Sequence, residues 1–387
     1  MKNKSLSDYC VINPNPENRL SRFERLTLLG GEELEKALEW VARRYDGSDY
    51  DGEQFVVDFA ELRRAQQLFS GLKVEQFFVP PAAPLDVVEV PVHGLPNGSI
   101  SDLSFPSAYR LFCMEAQERF VTVPENATVH ARYWRHSEPA RAAVVAVHGW
   151  TMGDQRINAL AFLPGFFYRL GLDVVLLELP FHGRRSPGGN VHSGELFPSA
   201  DFLRTNEAIG QAISDLRQVV LWLKLRGLQQ IGSIGVSLGG YISALWAGLD
   251  ELDYCIPVVP LVSMGGIAWE VVRAQCDEAQ LMRHNVNRDM LESIYQIHAP
   301  LEYEVRVPRA RRMIIAGLGD AMVPAEQPRA LWQHWERPQI HWLMGGHAAQ
   351  FKLKKSQVLE DIERFLLKIG IAEQAVLTVD DLSLIHI

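Results

Sequence analysis

The 387 residues carry a net charge of −9, with 47% hydrophobic and 22% charged side chains. That length and apolar content are enough to bury a large core, and the negative balance argues against a nucleic-acid partner, whose phosphates it would repel. The four cysteines, Cys10, Cys113, Cys255 and Cys276, are scattered without a C-x-x-C pair, so neither a disulfide framework nor a zinc site is signalled. The N-terminus lacks the apolar stretch of a signal peptide, and no apolar run is long enough to span a membrane, which makes the cytoplasm the expected compartment.

Residues 1 to about 30 read as an irregular, Pro-containing arm. Leu34, Leu38 and Val41 then fall at helical spacing, and Phe55, Phe59, Leu62 and Phe69 mark a second helix. Between them, Asp46 to Glu53 invites a calcium-loop reading. It fails on register, because Gly47 falls at the first ligand position and Asp58 where a bidentate Glu belongs. Pro80-Pro81-Ala82-Ala83-Pro84 is a stiff spacer. After it, Val87 to Val92 predicts a strand and Tyr109 to Arg119 a short helix. Residues 1–118 are therefore expected to be a helical accessory extension.

Regular alternation of strands and helices starts near Phe120. Phe120–Val123 and Ala127–Trp134 read as a hairpin turning at Pro124-Glu125-Asn126. Short, wholly apolar runs follow at Ala143–Val147, Val174–Leu177, Ile231–Val236, Cys255–Val259, Met313–Ala316 and Ile340–Leu343. Runs without alternation suit strands buried on both faces, as in a parallel sheet covered by helices. Ile209, Ala212, Ile213, Leu216, Val220 and Leu223 line one face of a helix with Asn206 as N-cap and Gly227 as stop. A last helix fits Val358–Leu367. The fold class is α/β, a doubly wound and mostly parallel sheet over residues 119–370. Two connections exceed turn length, His182–Thr205 and Ser263–Pro308, and the second is expected to be a helical lid. The tail 371–387 is given no role.

The chemistry centres on Gly235-Val236-Ser237-Leu238-Gly239, where an apolar strand runs straight into a helix. A serine on so sharp a turn is lifted above the sheet at the positive end of the helix, and the flanking glycines let neighbouring backbone pass close. Its hydroxyl needs an oriented base. His347, in Gly345-Gly346-His347-Ala348 directly after the last strand, has the topology for it. Asp320 sits at the carboxyl end of the Met313–Ala316 strand and is the candidate orienting acid. The oxyanion donors are expected to be the amides of Leu238 and Trp150, with Gly149 and Thr151 of the same His148-Gly149-Trp150-Thr151-Met152 loop contacting substrate. His148 is expected to brace that loop.

The order Ser237, Asp320, His347, with His148-Gly149 upstream, resembles the α/β-hydrolase superfamily. Leu179-Pro180-Phe181-His182-Gly183-Arg184 is similar to the Gly-His-Gly-type loop of many members. The resemblance spans about Phe120 to Ile369 and implies a serine hydrolase acting on an ester or thioester, with no metal or cofactor. The partner it implies is a small-molecule ester, and bulky Trp150 in the oxyanion loop together with the apolar lid points to a hydrophobic acyl group. The N-terminal third and the absence of an HGGG-type loop depart from the pattern and leave the substrate open. Two rivals stand beside an esterase: a peptidase of the same fold, and a non-catalytic binding protein built on it.

Overall fold

The apolar runs become the middle of a nine-stranded sheet with the order β1-β2-β3-β5-β4-β6-β7-β8-β9. The computed structural model describes residues 57–82, 86–138, 140–189, 191–344, 347 and 357–372. The expected helix at Leu34–Val41, the Asp46–Glu53 turn and the tail after residue 372 lie outside them. The parallel part consists of β4 (Ala142–Val147), β5 (Leu172–Leu177), β6 (Gln230–Val236), β7 (Cys255–Val258), β8 (Met313–Gly317) and β9 (Gln339–Leu343). Every residue of β4, β5, β7 and β8 is buried, which is why these strands lack polar alternation.

Helices cover both faces. On one side, α5 (Phe202–Leu225) presents Ala208, Ile209, Ala212, Ile213, Leu216 and Leu223 to the sheet. Gly227, at φ 93°, follows the end of α5, as the sequence suggested. Its start differs. The N-cap is Asp201, whose carboxylate accepts the Arg204 amide, and Asn206 is an interior residue bonded to the Phe202 carbonyl. On the other side, α11 (Gln357–Lys368) buries Val358, Ile362, Phe365 and Leu366 in a core shared with residues of the parallel strands.

The expected hairpin of Phe120–Val123 with Ala127–Trp134 does not form. Gln117–Val121 is a helical turn, α2, followed by a 3₁₀ turn at Pro124–Ala127 and then β3 (Thr128–His136). Tertiary contacts override the strand pattern: Phe120 packs edge-on against Phe181 at 5.1 Å, and Arg119 pairs with Glu61 and Asp201. β3 pairs instead with β2 (Gly98–Pro106), antiparallel across a long connection, and β2 is itself antiparallel to β1 (Val88–Leu95). β1 covers the run expected at Val87–Val92, and β1 and β2 both extend the sheet at its antiparallel end.

The insertion after β7 folds into α7 (Met264–Gln275), α8 (Glu278–Arg283) and α9 (Arg288–Tyr295). Ser263, Asp277 and Asn287 cap the three N-termini, each accepting a first-turn amide. This insertion does not stand alone. Helix α1 (Phe59–Phe69) packs on it, with Phe59 stacked on His284 at 4.0 Å and Leu62, Ala65 and Phe69 sharing a core with Leu291, Ile294 and Tyr295. Among the described residues, no helix is long and apolar enough to cross a membrane.

Candidate active site

All six parallel strands deliver their carboxyl ends to one edge, and the loops leaving that edge carry the predicted residues. β6 ends at Val236 and α6 (Leu238–Leu249) begins at Leu238, so Ser237 alone makes the turn. Its backbone sits at φ 56°, ψ −113°, a region costing about 1–3 kcal/mol for a residue with a side chain. Surrounding contacts hold it there. The Ser237 amide donates to the Val258 carbonyl at 2.9 Å, and the Ser237 carbonyl accepts the Tyr241 amide at 2.9 Å. The flanking glycines are demanded by space. A Cβ on Gly239 would lie 1.8 Å from the Val147 carbonyl oxygen, and one on Gly235 2.1 Å from the Gly239 carbonyl oxygen.

Ser237, His347 and Asp320 come together although 110 and 27 residues separate the bonded pairs. His347 Nε2 lies 3.0 Å from Ser237 Oγ, and His347 Nδ1 lies 2.7 Å from Asp320 Oδ2. The other carboxylate oxygen of Asp320 accepts two amides, Met322 at 3.0 Å and Val323 at 2.7 Å. Those two donors fix the carboxylate's rotation. Oδ2 is thereby aimed at Nδ1, which must carry the proton, leaving the Nε2 lone pair facing the serine hydroxyl.

The loop after β4 crosses the elbow. A Cβ on Gly149 would lie 3.3 Å from the Val236 carbonyl oxygen and 3.5 Å from Ser237 Cβ, so this residue backs directly onto the serine. The Gly149 amide is occupied by Met152 Sδ at 3.3 Å, and its carbonyl accepts the Met152 amide. Trp150 is 46% exposed, and Thr151 is exposed at φ 65°. Leu238 is the first residue of α6, a position whose amide has no intrahelical acceptor. His148 is fully buried and acts as a brace: Nδ1 donates to the Gly149 carbonyl at 2.8 Å and Nε2 accepts the Leu179 amide at 3.0 Å. Burial pushes its pKa down to about 4, so it is neutral in the native state at ordinary pH.

The fold is similar to that of two solved esterases. One is acetyl xylan esterase 1 from Thermoanaerobacterium sp. JW/SL YS485, with a TM-score of 0.53 and 15% identity, covering 81% of this chain and 93% of that one. The other is the acetyl xylan esterase from Paenibacillus sp. R4, with a TM-score of 0.52 and 16% identity, covering 84% and 98%. The chain has the α/β-hydrolase fold. Within it, residues 114–297 match the family described as alpha/beta hydrolase domain containing 18, a span that includes Ser237 but neither Asp320 nor His347. The chain is also 34% identical over 244 residues to Uncharacterized protein Rv2627c of Mycobacterium tuberculosis (strain ATCC 25618 / H37Rv), a match spanning 61% of this chain and 56% of that one. Uncharacterized protein MT2702 of the CDC 1551 strain matches with the same figures.

Around the hydrolase-fold site, several residues escaped sequence reasoning. The Trp150 indole donates to the Gly194 carbonyl at 2.8 Å, and Ser193 Oγ donates to the Met152 carbonyl. Beneath this loop, Arg185 and Asp215 form a fully buried ion pair at 2.9 Å. Arg185 also donates to the carbonyls of Glu178 and Asn126, both at 3.0 Å, and Asp215 accepts Ser107 Oγ at 2.6 Å. A second buried link joins three elements: His298 Nδ1 meets the Tyr241 hydroxyl at 2.6 Å, and His298 Nε2 meets Asn206 Oδ1 at 3.1 Å. No sequence motif announces either network. Among the described residues, no cluster of three or more His, Cys, Asp or Glu side chains is disposed to hold a metal ion.

Proposed function

We propose that the protein is a serine hydrolase that cleaves a carboxylic ester or thioester through an acyl-enzyme. The observation that carries this reading is the Asp320–His347–Ser237 relay, with contacts of 2.7 and 3.0 Å on the carboxyl edge of the sheet. Ser237 Oγ attacks the substrate carbonyl while His347 Nε2 takes its proton. The tetrahedral oxyanion is received by the amides of Leu238 and Trp150. His347 then returns the proton to the departing alkoxide or thiolate as the C–O or C–S bond breaks, leaving the acyl group on Ser237. Water, deprotonated by the same nitrogen, repeats the addition and frees the acid. Asp320 holds the imidazole's orientation and stabilises the transient imidazolium.

The substrate side is assigned to the cap made by α7–α9 together with α1, whose helices carry partly buried apolar side chains such as Ile267 and Trp269. A hydrophobic acyl group is the expected ligand, with Gly149 and Thr151 beside it. The test is a fluorophosphonate probe followed by hydrolysis of p-nitrophenyl esters of graded chain length, with aminoacyl anilides alongside. Wild type should be labelled and Ser237→Ala should not. An apolar acyl pocket raises kcat/KM about fourfold per added methylene, from roughly 0.8 kcal/mol each. Labelling that persists in Ser237→Ala, or an adduct mapped to Ser243, would overturn the nucleophile. A flat chain-length profile would remove the acyl pocket.

A further inference from the structure

Three alternate residues of the 148–152 loop reach across to the segment that follows β5. His148 Nε2 accepts the Leu179 amide at 3.0 Å, the Trp150 indole donates to the Gly194 carbonyl at 2.8 Å, and the Met152 carbonyl accepts Ser193 Oγ. The intervening Gly149 turns the other way, onto Val236 and Ser237. The loop is thus held from one side by Leu179, Ser193 and Gly194 while Gly149 backs onto the serine.

The holding segment is itself cross-braced by hydrogen bonds and ring contacts. The His182 Nδ1 proton goes to the Pro180 carbonyl at 2.8 Å, and the ring packs edge-on against His148 at 4.9 Å and Phe197 at 5.9 Å. Ser193 Oγ also accepts the Gly183 amide at 2.9 Å, and Gly194 donates to the Phe181 carbonyl at 3.0 Å. Gly194 sits at φ 81°, where a Cβ would lie 2.4 Å from His182 Nε2 and 3.0 Å from the Thr151 amide nitrogen. Only glycine brings its carbonyl to the indole in this space.

We propose that Leu179, Ser193 and Gly194 clamp the oxyanion loop, and that Trp150 and Gly194 are positioning residues which set where the Trp150 amide points. This rests on the serine-hydrolase reading. The indole is pinned by its N–H, so its role is separable from its bulk. An oxyanion donor acts only when it is aimed at the charge that develops in the transition state, so a loosened loop should slow turnover without weakening substrate binding.

The experiment compares wild type with Trp150→Phe, which keeps an aromatic ring and removes the donor, and with Gly194→Ala. Each is assayed for kcat and KM on a p-nitrophenyl ester, for inhibition by a trifluoromethyl ketone, and for thermal unfolding. The ketone's hemiketal anion reports on oxyanion binding directly. For Trp150→Phe the expected result is a kcat lower by about threefold to tenfold, the loss that one neutral hydrogen bond carries, with KM within twofold. Ketone affinity should fall by the same factor. Gly194→Ala should lose at least as much; if it does not fold, Trp150→Phe alone decides. An unchanged kcat, or a raised KM at constant kcat, would make Trp150 a pocket wall and overturn the clamp. A wild-type chain that neither turns over ester nor reacts with fluorophosphonate would overturn the hydrolase reading first, and the clamp with it.

Discussion

Replacing Asp320 by Asn separates orientation from fold, because the side chain keeps its shape and loses only acceptor character on one side. Two placements are open to the new amide. If its oxygen stays on the Met322 and Val323 amides, its NH₂ faces His347 Nδ1, forcing the imidazole proton onto Nε2. That tautomer presents a donor to Ser237 and cannot take its proton. If the amide flips, the correct tautomer is restored but the NH₂ is pushed against two N–H donors, the buried Val323 amide and the part-buried Met322 amide. Leaving the buried one unsatisfied costs about 1–3 kcal/mol. At about 1.36 kcal/mol per decade that donor alone lowers kcat by about 5-fold to 150-fold. The Met322 amide adds to this, towards the loss of about 10⁴ seen where the same substitution leaves a triad's geometry intact. Steady-state kinetics on a p-nitrophenyl ester, with thermal unfolding to show an intact fold, measures it. Turnover within threefold of wild type in a folded Asp320→Asn protein would refute the reasoning and move the acid elsewhere.

Gly239→Ala drives a methyl group to 1.8 Å from the Val147 carbonyl oxygen, and should yield protein that is either insoluble or unreactive to fluorophosphonate; a soluble, fully labelled variant would contradict the packing at the elbow. Arg185→Met leaves Asp215 buried without its partner and should destabilise by about 3–5 kcal/mol in denaturant melts, while adding Asp215→Leu should recover part of it. Equal destabilisation of the single and double variants would show that the pair's other hydrogen bonds, and not its charge balance, are what matters. Acid should unfold the protein through its buried histidines. His148 and His298 are held down to about 4 and about 3 by burial, and His182 is pushed well below 6.5, so below pH 6.5 the unfolded chain binds protons that the native one refuses. Stability is therefore full above 6.5 and falls as pH drops towards 4, by an amount on the order of 3 kcal/mol for His148 alone. Urea midpoints that stay flat from pH 7 to pH 4.5 would remove this account.

What the sequence determined by itself was whatever local rules govern. Strands buried on both faces run apolar, so β4 to β8 could be read within one or two residues of their observed ends, while β9, a half-buried edge strand, could be read from its short run Ile340–Leu343. A serine between glycines, at a strand-to-helix junction, could be recognised because only that composition tolerates φ 56° with backbone 1.8 Å from a would-be Cβ. Asp320 and His347 could be chosen because topology puts the ends of successive parallel strands on one edge. Tertiary structure decided what depends on partners distant in the chain. Phe120–Val123 has strand-like composition, yet Phe181, Glu61 and Asp201 draw Gln117–Val121 into a helical turn, and β3 pairs with β2 across a connection no hairpin rule describes. Asn206 has the chemistry of an N-cap. It instead lies buried inside α5, because His298, 92 residues away, offers a partner that compensates its polar side chain. The bond from Trp150 to Gly194 is of the same kind. A single N–H meeting a single carbonyl leaves no periodicity in the sequence, since its geometry exists only once β4 and β5 lie side by side and their loops share one edge.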